Sequence, residues 1–284
     1  CSEDYRTALK QQLAAGARSF AAARQAAVQA LCPGSDIAAL LDRPNNNLAV
    51  EYCKAIIEQN VEMQPIALPR QGADHGQALT ESAHAAFASA SALRALWAEG
   101  SAAALAPYVP EKALKLYKQA EYDGKYTDFA VMGHCELALL RAACAGQAPF
   151  AAVRGVSEGL EHRLENAVRE TASLPALLDA LTTVRYPRAR MRRLAMDAAL
   201  GYTAQTPALP PYLHLLGARK EALSLPGETA LPLSHSLARL ARENETCAQM
   251  AAAQSRASDL GALCRAKPEP MGGIYRQKII FLTN

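Results

Sequence analysis

The stretch "RPNNNLAVEYCKAI", residues 43–56, sets three asparagines between a proline and an amphipathic run. Leu48, Ala49, Tyr52, Ala55 and Ile56 recur at helical spacing while Glu51, Lys54 and Glu58 take the other face, so the run predicts a helix. Pro44 keeps Arg43 extended and ends whatever comes before. Asn47 is the natural N-cap, because its side-chain oxygen can accept from a first-turn N–H that has no partner within the helix. Asn45 and Asn46 are then surplus amides at a helix N-terminus, where the dipole and free N–H groups favour phosphate. Taken alone, an asparagine-rich stretch reads more readily as a plain polar turn than as a binding element.

Working outward, "VEMQPIALPR", 61–70, predicts a strand: Val61, Met63, Ile66 and Leu68 are apolar, and Pro65 marks an edge or a bulge. The glycine-bearing loop "QGADHGQ" follows, in the kind of place where binding residues collect. "FASASALRALW", 87–97, then brings Ser89, Ser91 and Arg94 close together near a break between helices. Upstream, residues 4–31 read as two helices around Gly16, and "CPGSD", 32–36, as a turn. "APYVPEK", 106–112, with two prolines, looks like a boundary. Beyond it the pattern predicts helices over 111–121, 126–145, 148–171, 174–183, 187–202, 208–223 and 232–262, and an extended tail packing back on them.

Composition agrees with a mostly α protein. Of the 284 residues 50% are hydrophobic, 20% charged and only 6% aromatic, and alanine is abundant, which favours helices with small contact surfaces over a sandwich or barrel. A net charge of +3 is too small to identify a nucleic-acid partner, so that reading must rest on local arginine clusters. Seven cysteines show no CxxC pair and no Cys/His spacing suited to zinc, so no metal site is expected and reduced thiols of a cytoplasmic protein are. No basic-then-apolar leader opens the chain and no run of about 18 apolar residues occurs, so no membrane association is expected. No protein partner is evident.

The densest charge cluster is "VRYPRARMRR", 184–193, with Arg185, Arg188, Arg190, Arg192 and Arg193 around Tyr186. Pro187 suits a first helical turn, after which Met191, Leu194, Ala195 and Ala198 face inward and the arginines outward. Guanidinium forks bind phosphate and an aromatic beside them can stack on a splayed base; the competing reading is a solvated basic face paired with neighbouring glutamates. "GVSEGLEHRLENAV", 155–168, aligns Val156, Leu160, Leu164 and Val168 and leaves Glu158, Glu161, His162 and Glu165 off that line, a packed helix more than a metal site. Neither a GxSxG elbow nor a Walker loop is present.

Taken together and in this order, "RPNNNLAVEYCKAI", "ASASALRAL", "VSEGLEHRL" and "VRYPRARMRR", with "SRASDLGALC" and "EPMGGIYRQKI" near the end, resemble the tRNA(Met) cytidine acetate ligase family, relatives of nucleotidyltransferases with a HIGH-type ATP site. The resemblance covers nearly the whole chain and is weaker over 112–150 and 203–250. It implies an enzyme that uses ATP, with Mg2+, to activate acetate as acetyl-adenylate and moves the acetyl group to N4 of the wobble cytidine of elongator tRNA(Met). It implies ATP binding by Asn45 or Asn46 and by Arg70, with Ser89, Ser91 and Arg94 matching a motif that holds the triphosphate in related enzymes. It also strengthens the reading of Arg185, Tyr186, Arg188, Arg190, Arg192 and Arg193 as a tRNA-binding set.

The fold expected is mostly α: residues 1–105 as the C-terminal remnant of a Rossmann-like α/β nucleotidyltransferase core, and 106–284 as an α-helical, tRNA-binding domain. Family members begin with a strand and a loop bearing HIGH-like histidines, which this chain lacks, and Cys1-Ser2-Glu3 falls where they have a Gly-Ser-Glu turn. The chain alone is therefore not expected to make acetyl-adenylate efficiently, and no catalytic residue is assigned. Two rivals stand beside this reading: a non-catalytic tRNA-binding module, and another nucleotidyltransferase that adenylylates a small acid without meeting RNA.

Overall fold

A computed structural model of the chain describes residues 2–17, 20–41, 43–68, 88–183, 185–224 and 229–282. These form two compact units, one made of the residues up to 68 with Thr183 and Arg185, the other of 88–182 and 186–282.

The first unit holds α1 (Glu3–Ala14), α2 (Phe20–Leu31), α3 (Ile37–Leu40) and α4 (Pro44–Glu58). Ser2 caps α1 by accepting from the Tyr5 N–H at 3.3 Å. α1 packs on α2 and α2 on α3 through Ala8, Ala23, Ala27 and Ala38, all buried, small side chains that let the helix backbones come close. An ion pair between Arg24 and Glu51 at 2.7 Å ties α2 to α4. The pattern over 43–56 does make a helix, but it starts earlier than expected, with Arg43 as N-cap and Pro44 in the first turn. Proline's fixed φ and missing N–H suit that position, so Asn47 falls inside the helix and is not its cap. The strand expected over 61–70 is not formed across 61–68, where Ile66 and Leu68 lie 80% and 86% exposed. Among the described residues no partner strand satisfies its backbone, and an unpaired strand is not stable in water.

The second unit begins with α5 (Ala90–Glu99), a 3-10 turn (Ala102–Leu105) and α6 (Glu111–Tyr122). The Glu121 carboxylate joins these three, accepting from Trp97 Nε1 and from the Ala102 N–H, both at 2.9 Å. Next come α7 (Phe129–Ala143), α8 (Leu160–Glu170), α9 (Leu174–Leu181) and α10 (Arg188–Ala199), which enclose the main core of Leu140, Phe150, Leu160, Leu164, Leu177, Leu181, Met191 and Ala195. The helix expected over 148–171 begins only at Leu160, because Gly155, Glu158 and Gly159 all take positive φ.

Residues 208–223 are not a helix. Pro207, Pro210 and Pro211 remove donors and fix φ, and the chain instead forms β1 (Leu213–His214), β2 (Gly217–Arg219) and a 3-10 turn (Lys220–Ser224). β3 (Leu233–Ser234) pairs in parallel with β1, and α11 (Leu237–Leu240) and α12 (Glu245–Leu263) build a second core with Tyr212, Cys247 and Ala251. After a 3-10 turn (Gly273–Arg276), the tail forms β4 (Ile280–Leu282), parallel to β2 in the register Gly217↔Ile280, Ala218↔Phe281 and Arg219↔Leu282. Gly217 permits this approach, since a Cβ there would sit 3.1 Å from the Ile280 carbonyl oxygen.

Candidate functional site

Asn45 and Asn46 occupy the first turn of α4, exposed and half-buried respectively, where helical amides lack intrahelical acceptors. Asn47 has a different task. Its side-chain amide donates to the Leu41 carbonyl at 2.7 Å and to the Arg43 carbonyl at 3.2 Å, holding the chain that enters the helix. Arg70, the other residue expected at this site, lies outside the described residues.

The SASALR motif forms a helix start in the second unit. Ser89 is buried and caps α5 by accepting from the Ala92 N–H at 3.2 Å, and its hydroxyl lies 3.1 Å from that of Ser91. Ser91 and Arg94, three residues apart, share a face of the first turns, and Arg94 is exposed. A helix N-terminus with two hydroxyls and a guanidinium nearby suits an anion. The Asn45–Asn46 turn belongs to one unit and the Ser89–Arg94 turn to the other.

The arginine cluster also divides. Arg185 falls in the first unit and is exposed, whereas Tyr186, Arg188, Arg190, Arg192 and Arg193 belong to the second, at the start of α10. Met191, Leu194, Ala195 and Ala198 face the core as their spacing predicts. Arg188 is paired with Asp179 on α9. The Arg190 guanidinium lies over the Tyr186 ring, 5.1 Å from its centroid, and the Tyr186 hydroxyl donates to Glu158 at 3.1 Å. Arg154 holds Asp197 on α10 through two bonds of 3.1 and 2.8 Å, which fixes the helix and keeps the guanidinium pKa raised.

Two features here were not singled out from the sequence. A cleft of about 490 Å³ opens beside Tyr186, lined also by Glu158, Arg163, Asn166, Glu170 and Ala180. The polar side of "SEGLEHRLEN" was visible in the pattern, but that it faces a cavity depends on where α9 and residue 186 return in space. On α7, Glu136 is 1% exposed, and burial pushes its carboxyl up to about 7 against the opposing pull of the Arg192 charge. Its Oε1 makes no hydrogen bond among the described residues.

Among the described residues no group of three His, Cys, Asp or Glu side chains could hold a metal ion, and no helix is long and apolar enough to cross a membrane.

Comparison with known proteins supplies the wider frame. Residues 1–271 match the family model described as HIGH Nucleotidyl Transferase. A tRNA(Met) cytidine acetate ligase of Listeria monocytogenes serotype 4b (strain CLIP80459) is 29% identical over 183 residues, covering 64% of this chain and 45% of the relative. One from Thermoanaerobacter sp. (strain X514) is 28% identical over 218 residues, covering 75% and 52%. The chain thus spans about half the length of these relatives. The fold is similar to that of Thermotoga maritima TmcAL bound with alpha-thio ATP, with a TM-score of 0.81 at 20% identity over 99% of this chain and 71% of that one. The apo form of the same protein gives a TM-score of 0.84 with the same identity and coverage.

Proposed function

Because the chain belongs to the HIGH Nucleotidyl Transferase family, we propose that it acts as a tRNA(Met) cytidine acetate ligase, which activates acetate with ATP and acetylates N4 of the wobble cytidine of elongator tRNA(Met). The observation that carries this reading is that two separate sequence motifs, PNNN and SASALR, both fold as helix first turns with polar side chains at the positions the resemblance assigns to ATP. In this reading Asn45, Asn46, Arg70, Ser89, Ser91 and Arg94 hold the nucleotide, and Mg2+ arrives on the triphosphate. Adenylation spreads negative charge onto the leaving pyrophosphate, and a guanidinium beside a helix N-terminus stabilises it as it forms.

The division into a nucleotide-binding part over 1–105 and a tRNA-binding helical part over 106–284 belongs to the same proposal, as does a cytoplasmic location. Leu48, Tyr52 and Ile57 of α4, with Ile66 and Leu68 after it, are exposed apolar side chains, Ile57 by 77%. That surface supports a nucleotidyltransferase core completed by a further segment, the one that carries the HIGH motif in the family. On the tRNA side, the start of α10 offers Arg190, Arg192 and Arg193 to phosphates, with Tyr186 as an aromatic neighbour.

The test is ATP binding measured by titration calorimetry, with the HIGH-bearing segment supplied. Asn46→Ala and Arg94→Ala should each weaken ATP by about tenfold while leaving the circular dichroism spectrum unchanged. Unchanged affinity in both variants overturns the ATP site.

A further inference from the structure

The cleft at Tyr186 has a chemistry that phosphate binding does not explain. Two glutamates line it, Glu158, which accepts from the Tyr186 hydroxyl, and Glu170, whose exposed carboxylate disfavours an anion. The remaining polar groups are the Asn166 amide, the Tyr186 hydroxyl and Arg163, whose Nη2 is spent on the Ala180 carbonyl at 2.7 Å while its buried Nε makes no hydrogen bond among the described residues. Glu158 stands at φ 57°, a left-handed conformation that side chains rarely adopt, and its carboxylate meets the Tyr186 hydroxyl from there. The cleft therefore offers a carboxylate acceptor, an amide and an aromatic ring within a space of about 490 Å³.

That set matches the edge of a nucleobase bearing an exocyclic amino group. Carboxylates accept from such amino groups, amides and guanidinium N–H groups donate to ring nitrogens and carbonyl oxygens, and aromatic side chains provide a stacking surface for bases turned out of a strand. Position supports the same ligand. Tyr186 lines the cleft and has the Arg190 guanidinium over its ring, so a strand with a phosphate on Arg190 has the mouth of the cleft beside it.

We propose that the cleft between α8, the end of α9 and Tyr186 receives one unpaired, amino-bearing base of the bound RNA, with Glu170 accepting from the amino group and Asn166 donating to the neighbouring acceptor. The inference rests on the tRNA-binding reading above and adds to it a base-recognition site apart from the nucleotide-binding turns. Uracil, which has a carbonyl where adenine and cytosine have an amino group, is disfavoured because it would face the Glu170 carboxylate.

The experiment measures the binding of short single-stranded oligo(A), oligo(C) and oligo(U) RNA to the whole chain by fluorescence anisotropy, at several salt concentrations. The wild type should prefer oligo(A) or oligo(C) over oligo(U) by about tenfold. Glu170→Gln and Asn166→Ala, both at exposed positions of α8, should each reduce that preference and leave the salt slope unchanged. Equal binding of all three RNAs by the wild type, or a preference that survives both variants, overturns the proposal. Adenosine, cytidine and uridine titrated in an isotope-edited spectrum separate the cleft from the arginine strip, since nucleosides carry no phosphate. Shifts of the Asn166 side-chain amide with adenosine and cytidine but not uridine support the cleft even where the arginine variants leave the salt slope of RNA binding unchanged, a result that overturns the tRNA reading alone. No shift with any nucleoside overturns the cleft.

Discussion

The Arg190 guanidinium sits 5.1 Å from the centroid of the Tyr186 ring, two residues before the helix that carries it and four along the chain. The contact gives one arginine of the cluster a fixed platform, while Arg192 and Arg193 extend from the same helix into solvent. Arg188 is already engaged by Asp179, so it is the wrong residue with which to test phosphate binding. Replacing Arg190, Arg192 and Arg193 together by alanine should weaken tRNA binding and lower the slope of log affinity against log salt by about two, each lost phosphate contact contributing about 0.7 to 0.9. Filter binding at several salt concentrations reads this directly, and an unchanged slope refutes the basic strip as the tRNA contact.

The role of Asn47 is open to a sharper substitution than alanine. Its amide donates to the Leu41 and Arg43 carbonyls, so aspartate, a good N-cap but no donor, should be as damaging as alanine. Either change should cost about 1 to 2 kcal/mol locally, seen as roughly tenfold faster hydrogen exchange in the first turn of α4. An aspartate variant that exchanges like the wild type would return Asn47 to the capping role its spacing suggests.

How far the sequence reaches is visible at these same residues. The helix over 43–56 was legible because its apolar period is strong, yet its first residue was not, since Pro44 and Asn47 are both good starters and only the tertiary contact to Leu41 separates them. The inward face of α10 could be read one residue at a time from Met191 to Ala198. Residues 208–223 read as a helix because Leu209, Leu213 and Leu216 fall at helical spacing, which obscures what Pro210, Pro211 and Gly217 impose on the backbone. The cleft was out of reach for a different reason: Glu158, Asn166, Ala180 and Tyr186 come together only through the return of α9 beside α8, and no local pattern records that.

Glu136 makes the stability of the second unit depend on pH. With its folded pKa raised to about 7 from an ordinary value near 4.5, the folded chain holds a proton that the unfolded chain releases between those values. Stability is therefore lost as pH rises through 7, the sign for a carboxyl whose charged form is disfavoured by folding. Glu136→Gln mimics the protonated side chain and should raise the melting temperature by roughly 3 °C or more at pH 8.5, with little effect at pH 5. Equal shifts at both pH values would show that Glu136 is not the titrating group.

Trp97, the single tryptophan of the chain, reports on the bracing of α5. Glu121 accepts from its indole and from the Ala102 amide, and removing it leaves two donors without their acceptor. Glu121→Ala should cost about 2 kcal/mol and shift Trp97 emission to the red, whereas Glu121→Gln, which keeps an acceptor oxygen, should lose much less. Identical spectra for the two variants would deny the hydrogen bonds their structural role.

The central claim is tested most directly by following labelled acetate into elongator tRNA(Met) with this chain, a HIGH-bearing segment and ATP. The account predicts acetate-dependent exchange between ATP and pyrophosphate, N4-acetylcytidine at the wobble position, and a fall of about tenfold in both for Asn46→Ala at subsaturating ATP. Exchange driven by another small acid, with no label in tRNA at any enzyme concentration, would contradict it.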